Sequence, residues 1–142
     1  AHASRRTFRE ALEVHDRSLP PIVTHTGVEG VKPHWRNLDD GQIRAIAERG
    51  GVVGVLLHEA FLGPGGVEAV AAHLTHLLRV GGAGVPALGT DHDGAILPPR
   101  DLRSSATLPR ITDALLRRGW SPYLVRGALG GNFLRALGEL RG

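Results

Sequence analysis

Cysteine is missing from all 142 residues, which excludes a disulfide framework and any thiolate metal site. Methionine is missing as well. A chain that opens on Ala1 with no methionine anywhere is expected to have been processed, trimmed or excerpted from a longer polypeptide. Aromatic residues make up only 4%, and Lys32 is the one lysine. Arginine therefore supplies nearly all of the 17 basic residues, set against 14 acidic ones. The pI near 10.5 reflects guanidinium groups that hold their protons, because the formal net charge is only +3. These arginines are interleaved with acids, as in Arg5-Arg6-Thr7-Phe8-Arg9-Glu10. Solvated helix faces explain that pattern, and a nucleic-acid-binding stripe does not. No apolar run approaches the roughly 20 residues that cross a bilayer. No charged-then-apolar leader opens the chain. Cytoplasmic placement is the expectation, with secretion or membrane anchoring left open because a leader would lie upstream.

What is present is ordinary globular material, 42% hydrophobic and 22% charged. Ser4 can cap a helix to about Asp16, with Phe8, Ala11, Leu12, Val14 and His15 toward a core. Pro20-Pro21 ends the connection, and Ile22 to His25 reads as a strand. After a loop to Leu38, Asp39 or Asp40 opens a helix that Gly50-Gly51 closes. Val52 to Leu57 is a continuous apolar run, as in a strand buried on both faces. Gly63-Pro64-Gly65-Gly66 leads into a helix from about Val67 to Val80. Val85 to Gly89 is the next buried strand. Helices follow near 108–118, 122–129 and 132–140.

Strands near residues 21, 52 and 85 recur at the length of one βα unit, which implies α/β architecture with a parallel sheet, doubly wound or barrel. In both, function gathers at the C-terminal ends of strands. His25, His58 and Asp91 stand at those ends, and His2 precedes a helix where an earlier strand would end. Three histidines and an aspartate in such positions form a metal-site pattern, imidazole being a ligand suited to zinc. Asp91 beside a metal is a ligand or a proton shuttle; otherwise it is a turn residue. Arg36, in the loop after His25, can clamp a carboxylate or simply solvate the surface. His73 and His76 share one helix face and, without an acidic partner, read as residues packed against a neighbouring helix. His34 reads as a loop-shaping residue and His92 as a flanking one. The Gly63–Gly66 loop lacks the Lys-Ser/Thr of a phosphate-binding loop. Without a Gly-x-Ser-x-Gly or a cysteine there is little support for covalent hydrolase chemistry.

The combination of His2-Ala3-Ser4, Ile22-Val23-Thr24-His25, Arg36-Asn37-Leu38, His73-Leu74-Thr75-His76, Gly89-Thr90-Asp91-His92-Asp93-Gly94 and Gly130-Gly131-Asn132-Phe133-Leu134-Arg135 resembles the membrane (renal) dipeptidase family. The resemblance runs nearly end to end. It implies zinc metallopeptidase chemistry on a TIM (β/α)8 barrel, with residues 1–142 as its C-terminal half, starting at the end of the fifth strand. It further implies that His2 and His25 bind the second zinc of a binuclear centre. Asp91 would handle protons during hydrolysis of a dipeptide by a metal-bridging hydroxide, and Arg36 would hold the substrate's terminal carboxylate. The family's Ser-His-Ser is Thr24-His25-Thr26 here, His92 stands where an aromatic is usual, and the loop from Gly27 to His34 departs from the usual pattern.

The family's His-x-Asp pair, its bridging glutamate and a substrate-binding histidine belong to the barrel's first half. A full barrel needs about 250 residues. The expected partners are therefore a dipeptide, the N-terminal half or a second chain, and further copies in a homo-oligomer, because a half-barrel leaves open sheet edges. Nucleic acid is not an expected partner. One alternative is a non-catalytic half-barrel serving as an interaction or assembly module. Another is a small phosphate- or nucleotide-binding α/β protein.

Overall fold

Local signals in the chain account for most of the element boundaries in the computed structural model, which describes residues 2–142. The Ser4 side chain accepts the Thr7 N–H at 3.1 Å and starts helix α1, Arg5–Val14. Strand β1, Ile22–Thr26, follows the two prolines. Helix α2, Asp40–Ala47, opens with a reciprocal capping box between Asp39 and Gln42. Strand β2, Val52–Val55, is buried throughout. Helix α3, Glu59–Leu62, is a single turn where no helix is expected from the sequence. Helix α4 is Val67–Gly81 and strand β3 is Pro86–Leu88. A 3-10 turn, Ser105–Thr107, precedes α5, Pro109–Arg117, and α6, Pro122–Arg126. A wide turn over Gly127–Gly131 ends α6 earlier than its apolar pattern suggests and leads into α7, Asn132–Arg141.

The three strands form one parallel sheet in the order β1-β2-β3, with Ile22 opposite Val52 and Val53 opposite Pro86. Strand residues alternate between two faces. Val53 and Val55 join Ile43 and Ile46 of α2, Val70, Leu74 and Leu77 of α4, and Ile111 and Leu115 of α5 in the main core. Val52 and Ala87 point the other way and pack with Ala136 of α7 and Ile22. Both faces are therefore covered, which is why β2 reads as an unbroken apolar run.

One expectation fails. α1 has no fully buried residue: Ala11 is exposed, Val14 is 87% exposed, and only Phe8 packs against the core. Its apolar residues are spaced for burial, but among the described residues the helix has the sheet assembly on one side only.

The sheet also carries an irregularity that bears on the site. The β1–β2 register slips between Val23 and Thr26, a bulge-like irregularity that takes in Thr24 and His25. The displaced Thr24 carbonyl lies where a methyl group on either Gly54 or Gly89 would sit. Glycine at positions 54 and 89 is thus a packing requirement of the bulge. Gly54→Ala is expected to destabilise the chain by about 2–3 kcal/mol, as overpacking against rigid backbone does. Urea unfolding at neutral pH checks this; a loss below about 0.5 kcal/mol would show that the bulge relaxes freely.

Candidate metal and substrate site

His25 lies in the register slip near the end of β1, His2 precedes α1, Asp91 follows β3 and Arg36 lies in the loop between β1 and α2. Folding brings all four together. His2 Nε2 and His25 Nε2 face each other at 3.2 Å with their rings edge to face. Asp91 Oδ2 is 3.9 Å from His25 Nε2, and Arg36 Nη2 is 3.5 Å from His2 Nε2. The Thr24 hydroxyl lies 3.0 Å from His25 Nδ1 and orients the ring so that Nε2 faces His2. Burial pushes the His25 pKa down, with Asp91 opposing and the charges of His2 and Arg36 reinforcing. At neutral pH the imidazole is therefore uncharged, the form that binds metals.

Two imidazole nitrogens held at about 2.0–2.1 Å by one tetrahedral zinc are about 3.3 Å apart. The observed 3.2 Å between the two Nε2 atoms fits that bite. The set is incomplete, however. Among the described residues, no group of three or more His, Cys, Asp or Glu side chains closes into a metal cluster. The chain offers two convergent donors with a carboxylate one step farther out, short of the three or four a zinc site requires.

Asp91 occupies this position in an unusual backbone state, with φ at 58°. Aspartate tolerates the left-handed region better than most residues, but at some cost in energy. The Gly94 N–H donates to the Asp91 carbonyl at 2.9 Å, and a methyl group on Gly94 would overlap the Asp91 carboxylate. The Asp93-Gly94 turn expected from the sequence thus folds back against the carboxylate.

Arg36 is fixed through its backbone. Its N–H donates to His34 Nδ1 at 3.2 Å, and its carbonyl accepts the Thr26 hydroxyl at 2.9 Å. The guanidinium lies 4.7 Å above the Phe61 ring. A guanidinium so placed, with Nη2 at 3.5 Å from His2 Nε2, can present N–H groups to a carboxylate.

Several residues of the site carry no sequence signal of their own. Phe61 lies on the unexpected one-turn helix α3. Phe133 of α7 lines, with Thr24, His25, Leu88, Gly89, Thr90 and Asp91, an open hollow of about 320 Å3. His58 does not join the histidine pair. Its Nδ1 accepts the Ala60 N–H at 3.4 Å as the N-cap of α3, and its ring packs edge-on against Phe61.

Four further histidines make structural contacts. His92 donates from Nε2 to the Leu102 carbonyl at 3.1 Å and flanks the site. His34 packs between Trp35 and Phe61. His73 is fully buried. Its Nδ1 accepts the Val28 N–H at 2.9 Å, and its Nε2 donates to the Leu62 carbonyl at 3.1 Å. His76 corrects the sequence expectation: it has an acidic partner, Asp40 Oδ1 at 2.6 Å, supplied by α2 from 36 residues away. At the N-terminus of α4, after the Gly63–Gly66 loop, Asp101 Oδ2 accepts the Val67 N–H at 3.0 Å. A carboxylate thus stands where a phosphate-binding loop would place its phosphate.

Comparison with known proteins decides the family. The model of the membrane dipeptidase family (peptidase family M19) matches residues 1–141. The chain belongs to this family. A crystal structure of a metallopeptidase from Rhodobacter sphaeroides, liganded with a phosphinate mimic of the dipeptide L-Ala-D-Ala, superposes with a TM-score of 0.89 at 29% identity. It covers 97% of this chain and 40% of that one. Dipeptidase AC, a metallopeptidase of family M19, gives a TM-score of 0.89 at 28% identity over 97% of this chain and 42% of that one. An uncharacterised Klebsiella pneumoniae protein encoded in the 5′ region of pqqA is 33% identical over 96% of this chain and 52% of its own length. The chain therefore spans about half the length of this curated relative. The family is one of dipeptidases, and the two solved structures are metallopeptidases.

Proposed function

We propose that this chain is the C-terminal half of a (β/α)8-barrel dipeptidase that uses zinc, and that it hydrolyses dipeptides once joined to the N-terminal half of the barrel. The observation that carries this reading is the convergence of His2 Nε2 and His25 Nε2 at 3.2 Å on the rim that also holds Asp91 and Arg36. His2 and His25 would hold the metal. Zinc bound there supplies a Lewis acid that polarises the scissile carbonyl and acidifies water. Arg36 binds the terminal carboxylate of the dipeptide and sets the peptide bond in register with the rim. Asp91 Oδ2 accepts a proton from the attacking water and returns it to the departing amine. The products are two amino acids, one carrying the new carboxylate and the other the new amino group.

The missing donors are the reason for assigning half of a barrel. Two imidazoles and one carboxylate do not complete a catalytic zinc site, and β1 and β3 each leave one sheet edge unpaired by the described strands. The same open edges favour a second reading, a half-barrel that assembles with a partner or with its own copies without catalysis.

The two readings are separated by combining the chain with an N-terminal half from the family and measuring zinc content and dipeptide hydrolysis. The isolated chain is expected to bind zinc measurably but more weakly than the assembled protein, through His2 and His25, and to be inactive. The assembled protein binds zinc more tightly and is active, and the double variant His2→Ala with His25→Ala loses zinc. Normal zinc content in that double variant would overturn the ligand assignment. A stable oligomer by light scattering, with no metal-dependent hydrolysis after assembly, would favour the non-catalytic module.

A further inference from the structure

α1 follows His2 directly, yet none of its residues is fully buried, so apolar packing holds it weakly. Phe8 contributes the packing. Arg49 Nη1 adds a hydrogen bond to the Leu12 carbonyl at 2.5 Å. Arg5, three residues from His2, adds two ion pairs. Its Nη2 donates to Glu29 Oε1 at 2.5 Å and its Nη1 to Asp39 Oδ2 at 2.7 Å.

The placement of those two acids gives Arg5 its significance. Glu29 and Asp39 lie at the two ends of the loop that carries Arg36. Each is fixed without help from α1. The Glu29 N–H donates to the Leu38 carbonyl at 2.8 Å, and Asp39 Oδ1 accepts the Gln42 N–H at 2.8 Å as the N-cap of α2. A single ion pair would leave α1 free to pivot. Two pairs to opposite ends of one loop remove that freedom, and the planar fork of arginine can make both at once.

We infer that Arg5 is a positioning residue, which sets His2 against His25 and locks the histidine pair in register with the Arg36 loop. This rests on the reading of His2 and His25 as zinc ligands. It makes metal affinity sensitive to an ion pair remote from the metal, and sensitive in a direction that electrostatics alone does not give. Removing a positive charge near a dication should by itself tighten zinc binding. Loss of positioning should weaken it. The side chains of Arg5, Glu29 and Asp39 are 50%, 33% and 35% exposed, so salt should screen the clamp and weaken zinc binding as well.

The test is a Zn2+ titration of the 142-residue chain against a chromophoric competitor, for the wild type and for R5Q, R5K, E29Q and the double variant H2A/H25A. At about 50 mM salt, R5Q is expected to bind zinc about five- to tenfold more weakly, with R5K recovering most of the affinity and E29Q intermediate. At about 0.5 M salt the wild type should fall toward R5Q, while R5Q itself changes little. The melting temperature of metal-free R5Q should stay within a few degrees of the wild type. If R5Q melts much lower, the E29Q and salt arms decide. Zinc binding in R5Q as tight as in the wild type, with H2A/H25A abolishing it, overturns the role of Arg5 alone. Zinc binding that survives in H2A/H25A, or is absent from the wild type, overturns the ligand assignment on which the role depends.

Discussion

On the proposed reading of the assembled protein, Asp91→Asn is expected to lower kcat by about 10²- to 10⁴-fold while KM and stability stay nearly constant, the range a positioned acid–base group contributes. The stability half of this expectation follows from the backbone. Asp91 sits at φ 58°, and asparagine tolerates that region as well as aspartate does. The Gly94 N–H bonds to the Asp91 backbone carbonyl, which the substitution leaves intact. Asparagine is close to isosteric and cannot take up and return a proton at Oδ2. The variant therefore separates the proton-transfer role from the turn. Steady-state kinetics with unfolding curves checks it. An Asp91→Asn enzyme within about threefold of wild-type kcat would remove Asp91 from the chemistry.

The largest expected effect on stability is at His73, away from the site. Its ring is fully buried between Val28 and Leu62 and bonds to both backbones. Because Nδ1 accepts and Nε2 donates, the ring must be neutral. Burial holds its pKa down at about 4, with the Leu62 carbonyl opposing and His76 adding to the shift. An unfolded histidine takes its proton near pH 6.5. Between those values the unfolded chain binds the extra proton and the folded chain does not, so acid favours unfolding. The stability from this group is complete above about pH 6.5 and lost as the pH falls toward 4, on the order of 3 kcal/mol in all. His73→Phe fills the space but leaves the Val28 N–H and the Leu62 carbonyl unpartnered, at a cost of about 2–4 kcal/mol at pH 7. It should also flatten the acid limb of the stability curve. Urea unfolding at pH 7 and pH 4.5 measures both, and a variant with wild-type stability and an unchanged acid limb would show that His73 is a passive filler.

Much of the fold is legible in the sequence because its signals are local. Ser4 and Asp39 cap the helices they precede, Pro20-Pro21 stops the first connection, and the unbroken run at Val52 marks a strand covered on both faces. The misreadings occur where a distant residue decides. Val14 has helical periodicity, but nothing among the described residues covers that face of α1. His76 finds its acid in Asp40, one helix away in space and 36 positions away in sequence. Phe61 is legible as an apolar residue, but its place under Arg36 depends on α3, a four-residue helix too short to show a period.

By itself the sequence determined the alternation of buried strands and amphipathic helices, and the strand-end positions of His25 and Asp91. Strand-end chemistry follows from pattern alone, because parallel strands with crossover helices present their C-terminal ends on one rim. Which strand-end residues meet was decided only by the tertiary structure. The bulge in β1, with Gly54 and Gly89 making room for the Thr24 carbonyl, brings His25 to His2, while His58 turns to cap α3. Angstrom-scale convergence depends on register, twist and packing between segments up to 89 positions apart, none of which has a local signature. The absence of cysteine limits the metal donors to imidazole and carboxylate, and among the described residues this fold brings two imidazoles, His2 and His25, and the Asp91 carboxylate together at the rim.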